Sequence, residues 1–509
     1  MLAFLDTTLR DGEQTAGVSF NVNEKLAIAQ LLLEELKVDR IEVASARVSK
    51  GESEAFRSIC DWARSKGCLE RVEVLGFVDD GVSVDWIASN GGKVINILAK
   101  GSLKHLTMQL RKSPQEHISD ISRVVSYAAA KGLSCNIYLE DWSHGMLDSQ
   151  DYVFELMDGL KGLGIKHFML PDTLGILDPW NTAEMIGRMV ERYPSLQFDF
   201  HAHNDYGLAV ANTLAAVNAG VSCVHTTVNG LGERSGNAPV APVVAAINDM
   251  TSAQMSLDES KLTHVCKYVE SISGIRIPDN EPVVGENVFT QTSGVHADGD
   301  RKGDLYANKL LPQRFGRERQ YALGKMSGKA NIIENLDKLG IALTPDQIKL
   351  VTQRVVELGD KKEMMTPEDL PFIIADVLKS GATQDNIHIV NYSLQLTKGM
   401  KPAAMLKVSI NGTEYETSSN GDGQYNAFMR ALWKIYDRLG KKHPLLADYQ
   451  VTIPPGGKTD ALVATTIFWD MDGHVFKTRG IDSDQTEAAI KATVKMLNII
   501  ENLDISTLV

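Results

Sequence analysis

The sequence predicts an α/β fold: a (β/α)8 TIM barrel over residues 1–257. A helical linker arm over 258–380 and a C-terminal α+β domain of duplicated βββα units over 381–509 are expected to follow. Three observations carry this. Strand and helix patterns alternate eight times within the first 250 residues. No Gly-rich phosphate fingerprint follows the first strand, which argues against a doubly wound open sheet. Asn411-Gly412 and Asp472-Gly473 recur at matching places in two similar C-terminal segments, and each is a type I′ hairpin signal.

The expected barrel strands are 2–6, 40–44, 72–77, 94–98, 135–140, 167–170, 198–203 and 223–228. They are short apolar or β-branched runs, as strands buried on both faces are. Amphipathic helices lie between them. The first sets Leu26, Ala29, Leu33 and Leu36 on one face, and Asn21 with Glu24 three residues on has the form of a helix N-cap. Gly67, Gly132, Gly164 and Gly220 punctuate helix ends. Beyond residue 258 the pattern turns helical and irregular. Pro278, Pro282 and the Gly-rich stretch 294–303 predict a long loop, and helices are expected near 331–339 and 345–358. The two βββα units read as strands 388–397, 404–410 and 413–418 with helix 425–439, then strands 449–454, 461–469 and 474–478 with helix 486–503. They contain no catalytic cluster, which favours ligand sensing.

With 509 residues, 43% hydrophobic and 23% charged, the chain is neither collagen-like, disordered nor a disulfide scaffold. A net charge of −13 without a basic block argues against nucleic-acid binding and against an anionic membrane surface. No run approaches the ~18 apolar residues of a membrane helix. The first residues carry no basic leader, and five cysteines without a C-x-x-C pair read as reduced thiols of a cytoplasmic protein.

A barrel's active site lies at the C-terminal ends of its strands. There the sequence puts Arg10 and Asp11 after strand one, Tyr138 and Glu140 on strand five, Thr173 after strand six, His201 and His203 on strand seven, and Asn237 after strand eight. Residues two apart on a strand share a face. His201-x-His203 with Asp11 on the same rim is therefore expected to make a divalent metal site, with Asn237 as a weaker fourth ligand or a turn residue; otherwise one histidine packs in the core and the other lies on a loop. Arg10 can stabilise an alkoxide forming on a metal-chelated 2-oxoacid, or merely neutralise Asp6, Asp11 or Glu13. Glu140 can orient a base or a metal-bound water, or form a salt bridge to Arg10. Thr173 can bind a substrate carboxylate or cap a helix. His296, in the Gly-rich loop, is a general base delivered to the site or a solvated surface residue. His225 reads as packed or hydrogen-bonded core. Glycines 230, 232 and 236 do not have dinucleotide spacing and are read as permitting tight turns and close approach of a ligand.

Taken together, Thr8-Leu9-Arg10-Asp11-Gly12-Glu13-Gln14, His201-Ala202-His203-Asn204-Asp205 and Gly232-Glu233-Arg234-Ser235-Gly236-Asn237 resemble the metal-dependent TIM-barrel family of 2-isopropylmalate and homocitrate synthases (the DRE-TIM metallolyases). The resemblance spans nearly the whole chain. Segments 43–52, 138–142 and 289–292 are similar to its citramalate synthase branch. It implies an acyltransferase that condenses acetyl-CoA with pyruvate to (R)-citramalate and free CoA, the first step of a pyruvate route to isoleucine. It implies a divalent ion (zinc, manganese or magnesium) held by Asp11, His201, His203 and Asn237, with Arg10, Glu140 and His296 as catalytic groups. Leu75, Leu98 and Tyr138 fall at the family's pocket positions. All are bulky and mostly apolar, which favours pyruvate's methyl over larger or charged oxoacids. The arm of relatives crosses to a partner subunit, so a homodimer with His296 and Tyr306 acting in trans is implied. Isoleucine is the implied effector, at Tyr425, Leu446, Tyr449, Ile453, Val463 and Gln485. Two positions depart from the family pattern: Asn426 stands for an Asp and Asp304 for an Asn.

The alternative within the branch is a 2-isopropylmalate synthase using 2-oxoisovalerate. More distant readings are a carbon–carbon lyase of the same barrel class, a non-haem iron oxygenase and a sensor without catalysis. The lyases carry a cysteine in the loop after strand eight, where this chain has Glu233-Arg234-Ser235-Gly236-Asn237.

Overall fold

A computed structural model describes residues 1–360, 365–378, 387–452 and 463–502. They form two compact units, Met1–Phe289 with Asn308–Glu318, and Thr290–Ala307 with Arg319–Val509.

The first unit is a closed eight-stranded parallel barrel. Its strands are β1 (Ala3–Asp6), β2 (Arg40–Ser45), β3 (Val72–Phe77), β4 (Val94–Lys100), β5 (Ser134–Glu140), β6 (Phe168–Asp172), β7 (Phe198–Ala202) and β8 (Cys223–Thr226). Closure is made by β1 against β8, with Ala3 opposite Cys223 and Asp6 opposite Thr226. All eight expected strands form, because each apolar run is buried on both faces. The first helix, Val22–Gln30, has the capping box the sequence suggested: Asn21 Oδ1 accepts from the Glu24 N–H at 3.1 Å, and Glu24 Oε2 accepts from the Asn21 N–H at 2.8 Å. The outward faces of the strands and the helices around them share one large apolar core.

The barrel interior is different. A small apolar cluster of Leu5, Leu75, Tyr138, Met169 and Cys223, with Leu98 against it, fills its middle. Buried beside it are Glu42, Glu73, Asn96, Asn136, Asp199 and His225. Barrels of this type normally fill this space with layers of branched aliphatic side chains. Here ionised groups are paired instead. Arg40 bridges Glu73 (2.9 Å) and Asp199, and Asn96 Nδ2 donates to Glu42 Oε1 at 2.7 Å.

In the second unit, β9 (Thr290–Gln291) and β10 (Gln320–Tyr321) pair in parallel. Helices Lys329–Lys338, Pro345–Asp360 and Leu370–Leu378 enclose a small core of Ile332, Leu336, Val351, Val355 and Leu370. The Gly-rich stretch expected as a loop instead forms a helix, Gly294–Arg301. Its glycines serve close packing: a Cβ on Gly294 would lie 2.6 Å from Gly328 Cα, and one on Gly299 would lie 2.5 Å from the Tyr306 ring.

Two antiparallel sheets follow, β11 (Ile387–Gln395), β12 (Ala403–Ile410), β13 (Thr413–Asn420), and β14 (Leu445–Thr452), β15 (Val463–Met471), β16 (His474–Asp482). Each ends in a helix, Gln424–Arg438 and Gln485–Asn502. Asn411, Gly412, Asp472 and Gly473 all have positive φ, as two type I′ hairpins require. Among the described residues no helix is long and apolar enough to cross a membrane.

Candidate active site and metal centre

The loop after β1 brings Asp11 to the mouth of the barrel, and β7 and the residue after it bring His201 and His203 there. The three are at most 8% exposed, and their ligand atoms lie within 4.8 Å of one another. His201 Nε2 is 3.2 Å from Asp11 Oδ2 and 3.4 Å from His203 Nε2. Ligand atoms that each sit about 2.0–2.2 Å from one cation lie roughly 3–3.5 Å apart, so the spacing suits a divalent ion. Asn237 joins the set through an antiparallel bridge to His203. Its Nδ2 donates to Leu231 O at 3.0 Å, while its Oδ1, like Asp11 Oδ1, is buried with no hydrogen-bond partner among the described residues. Two orphaned buried acceptors beside two imidazoles fit a metal. The loop that carries Asn237 folds on itself: Gly236 has φ +80°, and a Cβ there would lie 1.9 Å from Gly230 O. That close approach is to the chain itself, where the sequence reading had also invoked a ligand.

Electrostatics favour the ligand forms. Burial pushes the Asp11 carboxyl up, but Arg10 and the hydrogen bond to His201 outweigh it and hold the group well below the usual carboxylate range. Burial, then the neighbouring His201, push His203 down to about 4, which leaves it neutral.

Arg10 Nη1 lies 3.2 Å from Asp11 Oδ2. Its Nε donates to Glu42 Oε2 at 2.5 Å, and its Nη2 to the Tyr138 hydroxyl at 3.5 Å. Arg10 thus reaches Asp11, while its main anchor is Glu42. The alternative of a Glu140–Arg10 salt bridge is not what forms: Glu140 pairs with Lys100, its register partner on β4. Leu75, Leu98 and Tyr138 come together in the interior cluster beneath. Thr173 Oγ1 accepts from the Asp141 N–H at 2.9 Å, tying the β5 and β6 loops, while the following helix is capped by Asp178.

His296 and Tyr306 lie in the second unit, their rings 4.3 Å apart. Of the effector-site residues, Tyr425 and Tyr449 have rings 5.6 Å apart. Burial raises the pKa of the Tyr449 hydroxyl, and Gln485 is near enough to offset this slightly by favouring the ionised form. Leu446 is half exposed on β14, Val463 is buried at the start of β15, and Ile453 lies outside the described residues.

The sequence reading missed Glu42 and Lys100. Glu42 was legible as a lone carboxylate inside an apolar strand, and such a charge needs a partner. Lys100 continues the inward alternation of Asn96 and Leu98, two residues past the strand end assigned from sequence.

Residues 1–269 match the HMGL-like family, 283–363 the homocitrate synthase post-HMGL domain-like family and 364–501 the LeuA allosteric (dimerisation) domain. A candidate (R)-citramalate synthase of Methanopyrus kandleri is 35% identical over 90% of this chain and 88% of its own length. A candidate 2-isopropylmalate synthase of the same organism is 34% identical over 97% of both chains. The (R)-citramalate synthase of Methanocaldococcus jannaschii is 30% identical over 99% of this chain and all of its own. Matched over more than half its length by one family and over nearly all of it by these synthases, the chain belongs to the HMGL-like family, in its citramalate and 2-isopropylmalate synthase branch.

Proposed function

We propose that the protein is a metal-dependent acyltransferase that condenses acetyl-CoA with pyruvate, giving (R)-citramalate and free CoA as the first step of a pyruvate route to isoleucine. The observation that carries this reading is Arg10 held between Asp11 and Tyr138, with the Asp11–His201–His203 set on one side and the small apolar wall of Leu75, Leu98 and Tyr138 on the other. Its relatives named as citramalate synthases support the substrate.

Asp11, His201, His203 and Asn237 would hold zinc, manganese or magnesium, and the bound ion would supply Lewis-acid polarisation of the ketone. Arg10 sets its guanidinium where the ketone oxygen becomes an alkoxide. Glu140 or His296 takes a proton from the acetyl methyl group. The resulting enolate carbon attacks the ketone carbon, the alkoxide is protonated, and water cleaves the thioester to release the CoA thiol. Thr173 and Tyr306 bind substrate.

We assign catalysis to residues 1–257, the arm to 258–380 and regulation to 381–509. Isoleucine would bind between Tyr425, Tyr449 and Gln485, with Leu446, Ile453 and Val463 around it. The LeuA dimerisation match supports a homodimer, and in this reading its arm reaches the partner's active site. Five free cysteines, four of them buried, suit the reducing cytoplasm.

The test is thiol release from acetyl-CoA with pyruvate, 2-oxobutyrate, 2-oxoisovalerate, 2-oxoglutarate and glyoxylate, with and without divalent metal. Metal-dependent release strongest with pyruvate supports the reading. Preference for 2-oxoisovalerate makes the protein a 2-isopropylmalate synthase, a reading favoured by the relative of that name.

A further inference from the structure

Below the metal ligands, an unbroken line of buried polar groups runs from the barrel floor to Arg10. Asp199 is held by Arg40 and by His167 Nδ1 at 2.9 Å. Its Oδ2 lies 3.3 Å from His225 Nε2. On the other side of that ring, His225 Nδ1 lies 3.2 Å from the Tyr138 hydroxyl, which is 3.5 Å from Arg10 Nη2 and 3.4 Å from Glu42 Oε2. The His225 side chain is fully buried.

We propose that His225 is a positioning residue that fixes the Tyr138 hydroxyl, and through it the width of the oxoacid pocket and the seat of Arg10. Burial raises the Asp199 carboxyl, but Arg40 and the two histidines outweigh it and keep it ionised. The His225 ring stands between that carboxylate at Nε2 and a phenol hydroxyl at Nδ1, a setting that suits an imidazole with one N–H to give. An ionised carboxylate takes that N–H at Nε2, so Nδ1 is left as an acceptor. Tyr138 O–H is the donor that meets it. The phenol oxygen then turns its lone pairs to Arg10, and Glu42 is left to Arg10 Nε and Asn96. Tyr138 gives its proton to His225 rather than to Glu42 Oε2 3.4 Å away, and its ring stands beside Leu75 and Leu98. A neutral amide has the same donor–acceptor arrangement as this imidazole, so His225→Gln should preserve the wiring and His225→Phe should not.

This rests on the reading of Tyr138 and Arg10 as parts of the substrate site, so the experiment has two arms. In the first, kcat/KM is measured for the oxoacid the wild type prefers and for its homologue one methylene longer, in wild type, His225→Gln, His225→Phe, Tyr138→Phe and the double Phe variant. Metal content and thermal midpoint identify folded, loaded protein. His225→Phe is expected to narrow the preference by about tenfold, His225→Gln to restore most of it, and Tyr138→Phe to leave His225→Phe with no further effect. An unchanged preference in folded His225→Phe, or independent multiplication of the two Phe effects, overturns the proposal. If the wild type prefers an oxoacid other than pyruvate, the substrate reading fails while the relay is still tested. The second arm needs no turnover: imidazole ¹⁵N shifts should report His225 protonated at Nε2, with Nδ1 moving in Tyr138→Phe. A proton on Nδ1 overturns it.

Discussion

Glu42→Gln tests the site's internal wiring most directly. The Glu42 side chain is fully buried, accepts from Arg10 Nε at 2.5 Å and from Asn96 Nδ2 at 2.7 Å, and faces an Arg10 side chain only 9% exposed. The amide keeps the volume but removes the charge, so Arg10 stays buried without its main counterion. Breaking a buried pair from one side costs about 3–5 kcal/mol. At roughly 2–4 °C per kcal/mol for a domain of this size, the thermal midpoint should fall by ~6–20 °C. Activity should suffer separately. Arg10 no longer has the anchor that sets its Nη1 against Asp11, and loss of one well-placed donor to a developing oxyanion lowers kcat by about 10²–10³. The assay is CoA thiol release by folded protein well below its midpoint, beside calorimetry and metal analysis. Full metal content with the drop in kcat would separate Arg10's role from ion binding. If kcat stays within about threefold and the midpoint within ~2 °C, the reasoning about Arg10 fails.

Other perturbations address the rest of the molecule. Asp11→Ala and His203→Ala should each lose bound metal and all turnover; near-normal rates without added metal would show that the ion site is misassigned. Leu75→Ala should open the pocket and shift preference toward 2-oxoisovalerate by about tenfold or more, so unchanged selectivity counts against the pocket. Asp6 is buried, its Oδ1 accepts from the Thr8 N–H at 2.9 Å, and burial raises its pKa from 3.8 to about 7. A raised carboxyl favours folding below its unfolded value and loses that stability as pH climbs through the folded one, so wild type should weaken between pH 4 and 7. Asp6→Asn keeps the acceptor and cannot ionise. Urea midpoints should show it the more stable form at pH 8, by up to about 4 kcal/mol, with the advantage gone near pH 4; parallel pH profiles refute this.

Most of the architecture was legible because it rests on short-range signals. Alternating apolar runs and caps such as Asn21 with Glu24 are properties of neighbouring residues, and they gave eight strands where eight form. The rim was legible for a similar reason: once strand ends are known, Asp11, His201, His203 and Asn237 must face one mouth. Segment 294–303 was misread because glycine signals both flexibility and close packing. Only the presence of Gly328 and the Tyr306 ring against Gly294 and Gly299 decides between them.

The interior wiring was not legible, because its partners lie far apart in the chain. Arg40 meets Asp199 across 159 residues, Tyr138 meets Arg10 across 128 and His225 meets Tyr138 across 87. No local pattern announces such a pair; the sequence shows only a charge where an apolar residue belongs, as at Glu42 within β2. That misfit is itself informative. Replaced together with their partners, such buried pairs could give way to well-packed aliphatic side chains at little loss or some gain of stability, since buried ion pairs seldom outweigh their desolvation. A barrel that buries Glu42, Glu73, Asn96, Asp199 and His225 beside the small apolar cluster in its middle therefore sacrifices packing energy for orientation. The groups set the orientation of Arg10 and Tyr138 more rigidly than apolar packing can, because a hydrogen bond has a direction and a methyl contact does not.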